Sequence, residues 1–238
     1  MMKKKETRDV WKYLTIVFLL GGSALFGNSP DLKESLEKKA TELAKKLAST
    51  PLEASTAADW FELGLAYHDL TNQFGVRRAE DAVKAFETSY TLRKDPVTLA
   101  YLGSAWTLVG RDAIHPAKKI DGVMKGIEIL DRAVQEDPQN VIIRRIRYEN
   151  SFALPDIFER KSVAEGDVDY LIVLYSKNPL VFQNAYDPAH VFWFKSRICL
   201  FRNDVAGARK YASLARAIVK EPELQREIEH FLQGGRRK

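Results

Sequence analysis

The stretch that decides the fold is residues 60–96, WFELGLAYHDLTNQFGVRRAEDAVKAFETSYTLRKDP. Trp60, Leu63, Gly64 and Tyr67 recur at intervals of three and four, so they share one face of a helix. Ala82, Ala85, Phe86 and Ser89 do the same a little further on. The stretch closes on Asp95-Pro96. Proline lacks an N–H and clashes with the turn before it, which ends a helix, and it pushes the preceding residue toward extended geometry. The segment therefore reads as two amphipathic helices followed by a stop.

Working outward, the same punctuation returns at Asp137-Pro138, Asn178-Pro179 and Glu221-Pro222, at spacings of 42, 41 and 43 residues. Each pair closes a helix-period apolar segment. The second unit carries Leu99, Leu102, Gly103 and Trp106, then Val123, Ile127, Leu130 and Val134. The third has Ile142 and Ile146, then an apolar run from Tyr170 to Tyr175. That run reads as a buried helix, because a strand would have no partner in this setting. The fourth has Phe194, Ile198 and Phe201, then Tyr211, Leu214, Ala215 and Ile218. A period of this kind predicts stacked supersecondary units. Another amphipathic helix with Leu32, Leu36, Leu43 and Leu47 precedes them, opened by Ser29-Pro30-Asp31 as cap, first-position proline and first-turn acid. A last one, with Leu224, Ile228, Phe231 and Leu232, ends at Gly234-Gly235. The expected architecture is all-α: an αα-solenoid of about four helix pairs over 57–222. Residues 28–56 form an N-terminal helix and linker, and 223–238 a capping helix and basic tail.

The composition agrees. In 238 residues, 45 % are apolar and 29 % charged, an ordinary globular balance that excludes wholesale disorder. A single cysteine, Cys199, excludes an internal disulfide framework and CxxC chemistry. Residues 1–27 stand apart. Lys3, Lys4, Lys5, Arg8 and Lys12 precede Tyr13–Gly27, fifteen residues without a charge. A basic start, a short apolar run and small residues at its end are the marks of a secretory signal. Gly22 and Ala24 place a cut after Ala24; a cut after Gly27 fits less well. An uncleaved membrane anchor, with Trp11 and Phe26 extending the run, and an apolar first helix in the cytosol are the other readings. Both export readings put the body outside the cytosol, in a periplasm or anchored to the membrane. This segment carries +3 of the formal charge of +5. The remaining +2 gives no electrostatic footprint for nucleic acid.

Trp60-x-x-Leu63-Gly64-x-x-Tyr67, followed by Ala82-x-x-x-Phe86, resembles the tetratricopeptide repeat. Leu102-Gly103-x-x-Trp106 with Leu130, Ala133 and Pro138 continues the resemblance, giving two clear units over 57–138 and two degenerate ones over 139–222. Tyr148 falls near the glycine expected in the third. The period exceeds the 34 residues of the family, and Sel1-type repeats are a near alternative for the first unit. The resemblance implies a non-enzymatic scaffold or adaptor that binds a protein or peptide and uses no cofactor. The Lys and Asn clamp of heat-shock co-chaperones is replaced here by Phe61 and Leu65, so the groove wall, Phe61, Leu65 and His68, implies an apolar helix or peptide as ligand. A lipid or small-molecule carrier is the alternative, with an apolar pocket expected near Trp60, Trp106 and Trp193.

Catalytic and metal signatures are sparse. The four histidines, His68, His115, His190 and His230, make no HExxH, and the pairs Glu227/His230 and Asp187/His190 are too few for a metal. Cys199 reads as a small apolar core residue. The long connections 71–78, 111–119 and 153–163 hold Arg77, Arg78, Arg111, Lys118, Lys119, Arg160 and Lys161 against three acids, with Phe74, Ile157 and Phe158 among them. Equivalent loops of a solenoid line one edge, so these predict a basic, partly apolar edge for an acidic partner or an anionic membrane surface. Arg144, Arg145 and Arg147 read as a solvated helix face.

Overall fold

The computed structural model of the protein describes residues 30–183 and 185–234. The signal or anchor segment, 1–27, lies outside them. The described residues form ten α-helices: α1 Pro30–Ala48, α2 Ala57–Phe74, α3 Ala79–Leu92, α4 Pro96–Asp112, α5 Pro116–Glu136, α6 Val141–Ala153, α7 Lys161–Lys177, α8 Ala189–Phe201, α9 Val205–Ile218 and α10 Pro222–Leu232. Three short 3-10 turns, Leu52–Ala54, Asp156–Phe158 and Pro179–Phe182, sit in the connections. Tyr170–Tyr175 is helical, within α7.

The helix ends follow local chemistry. The Thr56 side chain accepts from the Asp59 amide at 3.1 Å, and Gly75, at φ 66°, ends α2 in the left-handed region. Asp95 caps α4 by accepting from the Thr98 amide, and Pro96 takes the first helical position. Asn140 caps α6 through the amides of Ile142 and Ile143. The surplus of the 41–43-residue period goes mainly into helix rather than loop. α5 alone has 21 residues, so Lys118 and Lys119 lie in its first turn and not in a connection.

Each helix packs on the next in sequence. The closest approaches that skip a helix are α2 with α4 and α4 with α6, and side chains also join α3 to α5 through Tyr90 and Glu136 and α8 to α10 through Trp193 and Phe231. Apolar burial follows the same order. One cluster joins α1 and α2 through Leu47, Leu63 and Leu70. A second runs from α3 to α6 through Phe86, Leu99, Leu130 and Ile143, a third from α6 to α8 through Tyr148, Leu171 and Phe194, and a fourth from α8 to α10 through Trp193, Leu224 and Ile228. Gly64 lies where α2 and α3 cross: a Cβ there would stand 2.6 Å from the Phe86 ring. Trp60, Trp106 and Trp193 fall in three different clusters. Cys199 is buried.

The arginines of α6 depart from the sequence reading. Arg144 and Arg147, three apart, turn toward α5 and α7, where both bind the fully buried carboxylate of Asp167. Arg147 also reaches Asp131 at 3.1 Å, and Arg160 grips the same Asp131 with two nitrogens. What reads as a solvated basic face is a charged joint between three helices.

Candidate functional site

α4, α6 and α8 position a connected group of aromatic and charged side chains. Arg145, Tyr148 and Glu149 lie at i, i+3 and i+4 on α6, and His190 and Arg197 at i and i+7 on α8, so each set shares a face. The Arg145 guanidinium sits 4.7 Å from the centre of the Tyr186 ring, and the hydroxyls of Tyr148 and Tyr186 are hydrogen-bonded at 3.1 Å. Tyr186 stacks on His190 at 4.9 Å, and His190 Nε2 lies 2.9 Å from Glu221 Oε2. Asp187 fixes this corner by accepting from the amides of Ala189 and Lys220, each at 2.9 Å. On the other side Tyr101 meets Phe61 edge-on at 5.5 Å and stacks on Phe86 at 5.8 Å.

The electrostatics follow from burial. Burial pushes the hydroxyls of Tyr148 and Tyr186 well above the ordinary tyrosine range, and Glu149 adds to it. They act as neutral hydrogen-bonding groups. Burial works against the charge of Arg145, but Glu149 and the surrounding tyrosine oxygens outweigh it and hold the pKa above that of free arginine. Arg197 is lowered by burial, with Glu149 giving back part of the loss. Glu149 thus favours the charged form of both Arg145 and Arg197.

Next to this group opens a cleft of about 440 Å³, lined by Tyr175, Leu180, Phe182, Tyr186, Ile218 and Glu221 among others. Its size is that of a small-molecule or side-chain pocket. Tyr186 and Glu221 belong to both.

Of the residues singled out from sequence, Phe61 and His68 touch the Tyr101 end of this group and the others lie apart from it. Phe61 and Leu65 pack against the second apolar cluster. His68 is buried, and its Nε2 lies 2.9 Å from Ser104 Oγ, in a network that continues to Asn150 and Thr107. Arg77 is exposed, as is Lys118. Arg78 pairs with Asp81 at 3.0 Å. Arg111 binds Asp112 and the carbonyl of Thr71, and Lys119 donates to the carbonyl of Arg111. Arg160 holds Asp131, Lys161 donates to the carbonyls of Phe152 and Leu154, and Phe158 is half-buried against Val123, Ile127 and Leu154. Most of these bases therefore fasten the chain's own connections. Asp187 and His190 do not act as a pair, since each has its own partner in the α9–α10 turn, Lys220 and Glu221. Among the described residues, no three His, Cys, Asp or Glu side chains gather as metal ligands.

Sequence reasoning missed Tyr101, Arg145, Glu149, Tyr186 and Arg197. The signal was available in Arg145-x-x-x-Glu149, since 100° per residue turns Arg145 away from Arg144 and Arg147. No protein-family model matches the chain, and the search of curated proteins gives no match.

Proposed function

We propose that the protein is an exported, non-enzymatic scaffold of the tetratricopeptide type, its helix pairs stacked as a superhelix, that takes a protein or peptide partner. The observation that carries this reading is the contact of α2 with α4 and α4 with α6 across the intervening helices. In such a stack the first helix of each pair lines one common surface. On that surface the ligand meets Tyr101, Arg145, Glu149, Tyr186 and Arg197 rather than the apolar wall of Phe61, Leu65 and His68. Aromatic and arginine side chains are the usual anchors of protein interfaces. The test is photo-crosslinking in intact cell envelopes, with the reactive residue at Glu149 and a control at Leu92. A defined protein adduct from Glu149 alone, lost in Arg145→Met and Arg197→Met proteins that keep their circular dichroism, supports the reading. Equal adducts from both positions, or none from Glu149, sink it. N-terminal mass decides the export route: a start at Leu25 marks a cleaved signal, an intact Met1 in membranes an anchor, and an intact Met1 in soluble cytosol removes export.

The cleft beside Tyr186 favours a second reading, a carrier of a small apolar molecule. Native mass spectrometry should then show a bound small molecule that a bulky Ile218→Trp substitution displaces.

A further inference from the structure

Among the described residues, four of the five most exposed large apolar side chains stand where the two helices of a pair are joined, the fifth being Leu180 in the α7–α8 connection. Ile114 is 77 % exposed in the α4–α5 connection, Ile157 68 % in the α6–α7 connection, and Phe201 and Val205 55 % and 57 % on either side of the α8–α9 turn. Single exposed apolar residues need no explanation, but a row of them does. These connections form one edge. Arg111 from α4 donates to the Thr71 carbonyl near the end of α2 at 2.9 Å. Phe158 packs on Val123 and Ile127 of α5. Lys161 Nζ, at the start of α7, lies 5.6 Å from the centre of the Phe201 ring.

The beginning of α1 stands at the same edge. α1 runs antiparallel to α2, with Lys46 paired to Asp59 near the start of α2 and Leu36 joining the cluster that takes Phe74 and Val76. The two helices, of 19 and 18 residues, are nearly equal in length. Pro30 therefore lies level with the connection 75–78. Only Asn28 and Ser29 separate it from the uncharged run Tyr13–Gly27. Three peptide steps span at most about 10 Å.

We infer that this edge rests on a lipid bilayer, with the side chains of Ile114, Ile157, Phe201 and Val205 entering the headgroup–acyl boundary. This rests on the anchor form of the export reading, in which Tyr13–Gly27 is retained in the membrane. A short tether brings the edge within reach of the surface, and apolar side chains standing out from connections, flanked by Arg77 and Lys118, suit an interfacial layer. The internal pairing of most edge bases makes apolar insertion, not charge, the main contribution.

The test uses the full chain with Cys199→Ala, reconstituted in phosphatidylethanolamine–phosphatidylglycerol vesicles and labelled with a fluorophore at a cysteine replacing Ile157, Phe201 or, as control on the opposite edge, Leu92. All three positions are exposed, so labelling spares the core. Doxyl-labelled lipid should quench the probes at 157 and 201 severalfold more than the probe at 92, and aqueous iodide should show the reverse order. A chain that fails to float with the vesicles overturns the anchor and the inference with it. A chain that floats while all three probes stay in water overturns the edge contact and leaves the anchor standing. Probes shielded from iodide without lipid quenching, in a protein that cross-links to twice its mass, would assign the edge to a second copy and overturn the inference.

Discussion

The α4–α5 pair and the α6–α7 pair follow one another along the chain, yet they are joined by opposite means. In α4–α5 the backbones nearly touch. A Cβ on Gly110 would stand 2.7 Å from the Lys119 carbonyl oxygen, and one on Gly126 2.7 Å from that of Gly103 and 2.5 Å from the Thr107 methyl. Glycine inside a helix costs roughly 1 kcal/mol relative to alanine, and the close approach offsets it. In α6–α7, Tyr148 falls near the place where sequence expects glycine; it is wholly buried and bonds to Tyr186. This joint is closed by Arg144, Arg147 and Asp167. Neighbouring helix pairs of one all-helical chain can thus be closed by backbone contact in one case and by charge in the other.

The largest expected effect tests the charged joint. Asp167→Ala leaves Arg144 and Arg147 facing each other without their shared carboxylate, and should lower stability by about 3–5 kcal/mol in urea unfolding. A triple variant, Arg144→Met, Arg147→Leu and Asp167→Met, should recover most of that loss, because uncompensated charge rather than lost attraction is the source of the damage. If Asp167→Ala melts like the parent, the joint is not electrostatic. Gly126→Ala comes next. It forces the α4–α5 backbones apart and should cost about 1–3 kcal/mol, with Gly110→Ala similar. The smallest effect has the opposite sign. Gly166, inside α7, has nothing within 4 Å of where its Cβ would be, so Gly166→Ala should raise stability by about 0.5–1 kcal/mol. Were both glycine variants to act alike, the contrast between the two pairs would fail.

Much of the fold was legible because it is written locally. Asp95, Asn140 and Pro96 act within a few residues of themselves, so a helix boundary is readable without its neighbours. The three-and-four spacing of Leu99, Leu102 and Trp106 likewise names a buried face before anything covers it. The candidate site was hardly legible. Its members come from residues 101, 145–149, 186–197 and 221, and no local pattern links Tyr186 to Arg145. The basic connections illustrate the same limit from the other side. Arg160 and Lys161 look available in sequence because Asp131 and the carbonyls of Phe152 and Leu154 are not adjacent to them in any visible pattern.

The sequence by itself determined that this chain is a succession of amphipathic helices with capped ends, because hydrophobic period, capping and proline geometry act within one turn. Only the tertiary structure decided which arginines fasten Asp167 and Asp131 and which one lies over Tyr186, and which apolar side chains are left in water at the edge. A charge or an apolar surface has no settled role until the packing around it fixes its partners and its access to solvent.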